Sequence, residues 1–515
     1  MGSSEQHVEL TSDGLSAREV IAVARFDARA SLTPDGFSAM ERSAAVVAEL
    51  ASVEQPAYGI TTGFGSLATV PIATGRREEL QRALIRSHAA GMGPGVEREV
   101  VRAMMLLRAR TLAMGWSGTR PVLAETILSL LNAGLTPVVP EHGSLGASGD
   151  LAPLAHCALV LLGEGEVEDA DGVRRRAGEA LAGAGIEPIA LGPKEGLALI
   201  NGTDGMLGML VLACEDLARL FRVADITAAM SVEALLGTDR AFAADLIALR
   251  PQPGQAASAA NLRMLLADSE IVASHREGDP RVQDAYSLRC APQVAGAARD
   301  ALSYADRVAD AELRSAIDNP MVLPDGRVES CGNFHGAPLA FACDFLAIAC
   351  ADVGSIAERR TDRLLDETRS HGLPPFLAED AGVNSGLMLG HYAQAAMVAE
   401  NRRLATPAAV DSLPTSAMQE DHVSMGWGAA RKLRTAVANL GRILAVELVC
   451  AARALDLRVP LRPAPGTEAA RSAVRSLVEG PGPDRWVAPE LAAVESLVHS
   501  GDVVRAVEAR VGVLC

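Results

Sequence analysis

The chain runs to 515 residues, ample for a large core, yet it is 49% hydrophobic and only 3% aromatic, so burial must rest on Ala, Leu and Val, the residues of closely packed helices. Its formal net charge of −17 and pI near 5.1 exclude the basic footprint that nucleic acids and anionic membrane surfaces require. Eight cysteines form no CxxC pair and no short disulfide framework, which predicts reduced thiols in a cytoplasmic protein.

The opening Met1-Gly2-Ser3-Ser4-Glu5-Gln6 has neither the basic start nor the apolar run of a signal peptide. Glycine, proline and polar turns then crowd residues 56–72, 88–96 and 136–153, the kind of loop-rich stretch that carries site residues. An acidic insert over 163–176, with an Asp171-Gly172 turn, predicts a small hairpin between helices. The richest apolar runs, such as 206–214, fall far short of the roughly 20 residues that span a bilayer, so no transmembrane segment is expected. Residues 337–353 are apolar on nearly every face, broken by Asp344 and Asp352, which predicts a helix buried at the centre of a bundle or at a subunit contact. Leu433, Val437, Leu440, Leu444 and Leu448 recur at helical spacing, so a helix should run from about Ser424 to about Leu455. Beyond Val459 the chain is proline-rich through Pro460, Pro463 and Pro465, and a helical pattern returns from about Glu468.

The most informative string is Gly143-Ser144-Leu145-Gly146-Ala147-Ser148-Gly149-Asp150-Leu151-Ala152-Pro153-Leu154. If the amide nitrogen of Gly149 attacks the carbonyl carbon of Ala147, ring closure and loss of two waters turn Ser148 into an exocyclic methylidene. No free side chain offers such an electrophile. Gly149 suits the attacking position because a residue without Cβ tolerates unusual dihedrals and close backbone approach. By itself Ala-Ser-Gly marks only a turn.

Other polar residues stand in strings with more than one reading. Tyr58 lies in Ala57-Tyr58-Gly59-Ile60-Thr61-Thr62-Gly63-Phe64-Gly65, a glycine-rich loop without the spacing of a phosphate cradle. His88, in Ser87-His88-Ala89-Ala90-Gly91, stands where a helix meets a glycine turn, a place where histidine favours the helix dipole. Asn201 and Gly202 form a turn signal. In Val282-Gln283-Asp284-Ala285-Tyr286-Ser287-Leu288-Arg289-Cys290, Tyr286 and Arg289 share one face if helical. Arg289 suits a carboxylate gripped by two parallel hydrogen bonds, or else a surface ion pair. Glu420, Asp421 and His422 are adjacent and do not point at one ion, and no HExxH occurs, so no metal is expected.

Taken in order over about residues 55–425, these strings resemble the aromatic amino acid ammonia-lyases and aminomutases, whose 4-methylidene-imidazol-5-one (MIO) group is made from Ala-Ser-Gly. The resemblance implies MIO at Ala147-Ser148-Gly149 and no external cofactor. It implies Tyr58 and Tyr286 in the catalytic set, with Glu420 either a rival for proton transfer or a ligand of the substrate ring. Asn201 and Gln283 would support group and substrate, Arg289 would anchor the carboxylate, and Phe334 would pack near the ring. Cys331 replaces the glycine expected before Gly332-Asn333-Phe334-His335-Gly336. Ser87-His88 and Gln419-Glu420-Asp421-His422 resemble the histidine-specific members, while Met418 stands where many members have Asn.

The implied reaction is deamination of L-histidine to trans-urocanate and ammonia, the first step of histidine breakdown, in a homotetramer whose active sites are shared between subunits. Two alternatives stay open: a tyrosine or phenylalanine lyase or 2,3-aminomutase with the same group, and a catalytically silent helical scaffold. The Gly-Ser-Ser-x-Met-Pro loop of the fumarase and argininosuccinate-lyase group is absent. The expected fold is mainly α, with a loop-rich N-terminal head over 1–205, a long central helical bundle over 206–460 and peripheral C-terminal helices over 461–515, folding as one unit.

Overall fold

The computed structural model describes residues 7–52, 59–63, 65 and 69–515. The chain divides into two compact units, one of Met1–Leu212, Ala305–Cys343 and Pro407–Arg431, the other of Ala213–Tyr304, Asp344–Thr406 and Lys432–Cys515. Helices dominate both, so the fold is mainly α, as the composition implies.

In the first unit the helix Arg98–Ala113 is buried on every face from residue 100 to 113. Its arginines are tolerated there because acceptors meet them: Arg102 donates to the Val23 carbonyl at 3.0 and 3.1 Å and to that of Leu131 at 3.2 Å. Small sheets border the helices. His7–Leu10 pairs in parallel with Arg29–Leu32, His7 opposite Arg29. The expected hairpin forms from Glu166–Glu168 and Arg174–Arg176, its turn tied by the Asp169 carboxylate, which accepts from the Asp171 and Val173 amides at 3.1 and 2.9 Å. Met92–Gly95 pairs with Pro140–His142, joining two of the loop-rich stretches immediately before Gly143.

The regular elements of the second unit, among the described residues, are helices. Glu447, fully buried, accepts from Thr227 Oγ1 at 2.7 Å, Ser231 Oγ at 2.8 Å, and Arg360 Nε and Nη2 at 2.5 and 2.9 Å. All eight cysteines are free.

The predicted stripe lies on the helix Gly426–Asp456, with Leu433, Val437, Leu440, Leu444 and Leu448 buried. The C-terminal helix begins at Pro465, earlier than its apolar pattern, because proline at the first helical position has no amide to satisfy and a φ already set for the turn. The segment 337–353 belongs to the helix Ala337–Leu365, but its burial is one-sided: Leu339, Leu346 and Cys350 are buried, whereas Phe341, Phe345 and Ile348 are 46%, 47% and 45% exposed. By length and composition Ala337–Leu365 and Gly426–Asp456 could each cross a membrane, an outcome that counting unbroken apolar runs missed. Of their most apolar stretches 61% and 83% is buried inside the protein, which is the behaviour of core helices.

Candidate active site

The Ala147-Ser148-Gly149 loop is shaped by glycines that nothing else could replace. Gly149 has φ +76°, and a Cβ there would lie 2.0 Å from the carbonyl oxygen of Gly202, which instead accepts from the Asp150 amide at 2.7 Å. Gly146, at φ +70°, would put a Cβ 2.1 Å from Ser424 Oγ, the hydroxyl that donates to its carbonyl at 3.2 Å. Ala147 and Gly149 are bridge partners, so the backbone doubles back across Ser148. Behind the loop, Ser144 Oγ donates to Asp150 Oδ1 at 2.9 Å and accepts from the Gly146 amide at 3.1 Å. Asp150 precedes the helix Leu151–Leu161 and is completely buried. Burial pushes its carboxyl up to about 7, against the lowering effect of the Met206 amide and the Ser144 hydroxyl.

Ser148 borders a cavity of about 510 Å³, with Ser87, His88, Asn201, Asn319, Ser416 and Glu420 as its other polar neighbours among the described residues. One wall is the helix Arg77–His88, which contributes Leu80, Ala83, Leu84, Ser87 and His88, a set at helical spacing. Leu151, Leu197 and Ile200 extend the apolar surface. His88 Nδ1 lies 2.9 Å from the Leu84 carbonyl, so it carries the proton and leaves the Nε2 lone pair free. Burial holds this imidazole below the ordinary histidine range, outweighing the upward pull of the Leu84 carbonyl and the Glu420 carboxylate.

Glu420 is placed by a tight reversal of the chain. Thr415 and Glu420 exchange backbone hydrogen bonds at 2.9 and 3.3 Å, and Thr415 Oγ1 donates to Glu420 Oε2 at 2.7 Å. Between them Ser416, Ala417 and Met418 all take left-handed φ values of +50°, +51° and +71°, a strained path of the kind that gathers at functional sites.

Asn201 ends the short helix Glu195–Ile200, whose orphan backbone groups are capped from both sides. Gln81 Oε1 accepts from the Gly196 and Leu197 amides at 2.9 and 3.3 Å, while Arg108 Nη1 donates to the Ala198 and Asn201 carbonyls at 2.8 and 2.9 Å. Asn201 Nδ2 donates to the Asn319 carbonyl at 2.8 Å and to Asp318 Oδ1 at 3.4 Å; its Oδ1 is buried without a partner.

Of the residues anticipated from sequence, the structure brings Ser148, His88, Asn201 and Glu420 to one cavity. Tyr58 lies outside the described residues. Gln283, Tyr286 and Arg289 belong to the second unit and are not among the described residues lining this cavity. There Tyr286 is 71% exposed, the Arg289 guanidinium stacks 4.6 Å from its ring centroid, and Arg289 Nε donates to the Asp284 carbonyl at 3.0 Å. Phe334 is half-buried and also outside that lining set. His422 turns its ring toward His335, 5.6 Å between centroids, whereas Glu420 meets the cavity. Sequence reading missed Leu80, Ala83 and Leu84, which their spacing with His88 could have revealed, and missed Thr415 and Asp318, for which no local pattern exists.

A family model described as aromatic amino acid lyase matches residues 15–476, and the chain belongs to that family. Among curated relatives, the histidine ammonia-lyases of Streptomyces avermitilis and Streptomyces coelicolor are each 61% identical over 508 residues, covering 98% of this chain and 99% of theirs. Among solved structures, a tyrosine aminomutase from Streptomyces globisporus matches with TM-score 0.93 and 37% identity over 99% of this chain and all of that one. A histidine ammonia-lyase from Trypanosoma cruzi matches with TM-score 0.90 and 39% identity over 98% of this chain and 96% of that one.

Proposed function

We propose that this chain is a carbon-nitrogen lyase that eliminates ammonia from L-histidine and leaves trans-urocanate. The observation that carries the reading is a single cavity that gathers Ser148, a His88 kept neutral by burial, and Glu420. The 61% identity to histidine ammonia-lyases supports the same substrate.

The loop residues fit an MIO group. Gly149 has no space for a Cβ beside the Gly202 carbonyl, and Ala147 and Gly149 are bridge partners across Ser148, which borders the cavity. Ala147, Ser148 and Gly149 would hold the ring, backed by Asp150 and Ser144. When formed, the group supplies an electrophilic carbon that assists departure of the amine. His88 Nε2 accepts a hydrogen bond from the substrate imidazole, and Glu420, one oxygen already on the Thr415 hydroxyl, meets the ring with its charge. The leucine-rich wall keeps water away, which strengthens both contacts. In the elimination the Cβ–H and Cα–N bonds break, a carbon–carbon double bond forms and ammonia leaves. Tyr58 is assigned the β-proton, with Glu420 its rival. Arg289 is assigned the carboxylate, and Gln283, Tyr286 and Phe334 complete the site.

A homotetramer with active sites shared between subunits accounts for a Tyr286 that is 71% exposed in one chain, and the free cysteines fit the cytoplasm. The test is incubation with L-histidine, following ultraviolet absorbance for urocanate, alongside intact mass for the loss of two waters. Freshly purified protein that yields no urocanate overturns the reading. Because the tyrosine aminomutase is so similar in fold, products from L-tyrosine and L-phenylalanine are measured in parallel, and preference for either would assign the chain to that branch.

A further inference from the structure

The helix Glu195–Ile200 is bracketed at its two ends by one carboxylate. Lys194 precedes it, and its ammonium lies 2.8 Å from Asp318 Oδ2 and 2.9 Å from the Ser117 carbonyl. Asn201 follows it and donates to Asp318 Oδ1 and to the Asn319 carbonyl. Both partners of the ion pair have 0% side-chain exposure, and Lys194 is held at φ +67°, a conformation that costs strain in a non-glycine residue. A primary amide has one donor side and one acceptor side. Carboxylates and carbonyls only accept, so the side turned to Asp318 and Asn319 is the NH2, and the oxygen is the atom left over. A buried acceptor without a partner is costly until a donor arrives.

We propose that Asp318, itself held by Lys194, is a positioning residue that locks the Asn201 amide so that its oxygen is kept to accept an N–H from the α-amino group of the substrate. The proposal rests on the cavity beside Ser148 being the active site. Removing the charge at Asp318 lets the amide turn over, because an asparagine there offers Asn201 both a donor and an acceptor. Lys194 supplies the countercharge that holds Asp318 in place.

The test compares two ligands on the full-length protein. In Asp318→Asn, kcat/KM for L-histidine is expected to fall on the order of 10²-fold, the usual consequence of a misplaced contact. The inhibition constant of 3-(imidazol-4-yl)propanoate, which lacks the amine, is expected to stay at the wild-type value. Intact mass should still show the loss of two waters, since the loop is held by Gly202 and Ser424 rather than by the Asn201 side chain. If Asp318→Asn does not fold because Lys194 is left without its anion, the neutral pair Lys194→Gln with Asp318→Asn serves instead, with the same expectations. Equal weakening of both ligands, wild-type kinetics, or loss of the mass deficit overturns the proposal. A wild-type protein that makes no urocanate overturns the reaction itself, a result seen before any variant is made.

Discussion

Each unit buries a charged network, and the two are finished differently. Around Glu447 in the second unit both carboxylate oxygens are filled by Thr227, Ser231 and Arg360. Around Asp318 in the first unit the carboxylate is buried as deeply, but the network ends on an Asn201 oxygen that has no partner. A network that satisfies itself contributes to folding, whereas one that ends on a vacancy is suited to receive a donor from outside.

Four experiments break or sharpen that contrast. The largest effect is expected from Ser148→Ala: urocanate formation and the mass deficit both disappear while the melting temperature holds, because the contacts of Asp150 with Gly202 and of Ser424 with Gly146 that hold the loop do not use the Ser148 side chain. Glu447→Gln comes next and should do the reverse. Leaving Arg360 buried without its anion is expected to cost about 3–5 kcal/mol in denaturant unfolding, with kcat/KM per folded molecule unchanged. Glu420→Gln removes one charge-assisted contact of about 1.5–3 kcal/mol, so steady-state kinetics with L-histidine should show kcat/KM reduced by roughly ten- to a hundredfold. The smallest effect concerns His88. Its folded imidazole titrates below the ordinary value, so as pH falls through the unfolded value of about 6.5 the unfolded chain takes up a proton that the folded chain refuses, and stability drops. Urea titrations on the acid side should therefore slope less steeply for His88→Gln than for the wild type.

Much of the architecture was legible because it depends on near neighbours. The stripe from Leu433 to Leu448 announced its helix through a period of 3.6 residues, and Asp171-Gly172 announced a hairpin through turn chemistry. The helix at 337–365 was legible as a helix but not in its one-sided burial, since an apolar side chain does not reveal whether anything covers it. In the site, Ser148 could be singled out because its chemistry is local to three residues. His88 and Glu420 were found only through resemblance, and their meeting in one cavity is a tertiary event. Asp318 escaped notice altogether: it lies 117 residues from Asn201 and 124 from Lys194.

The order of residues alone settled the helical class, singled out the Ala147-Ser148-Gly149 loop and named the groups on offer, since each follows from composition, periodicity or adjacent-atom chemistry. Folding decided which of those groups share a cavity, which way the Asn201 amide faces, and that burial disfavours the charged form of His88. Those outcomes depend on distance and dielectric between segments far apart in the chain, and neither quantity is written in any local stretch of it.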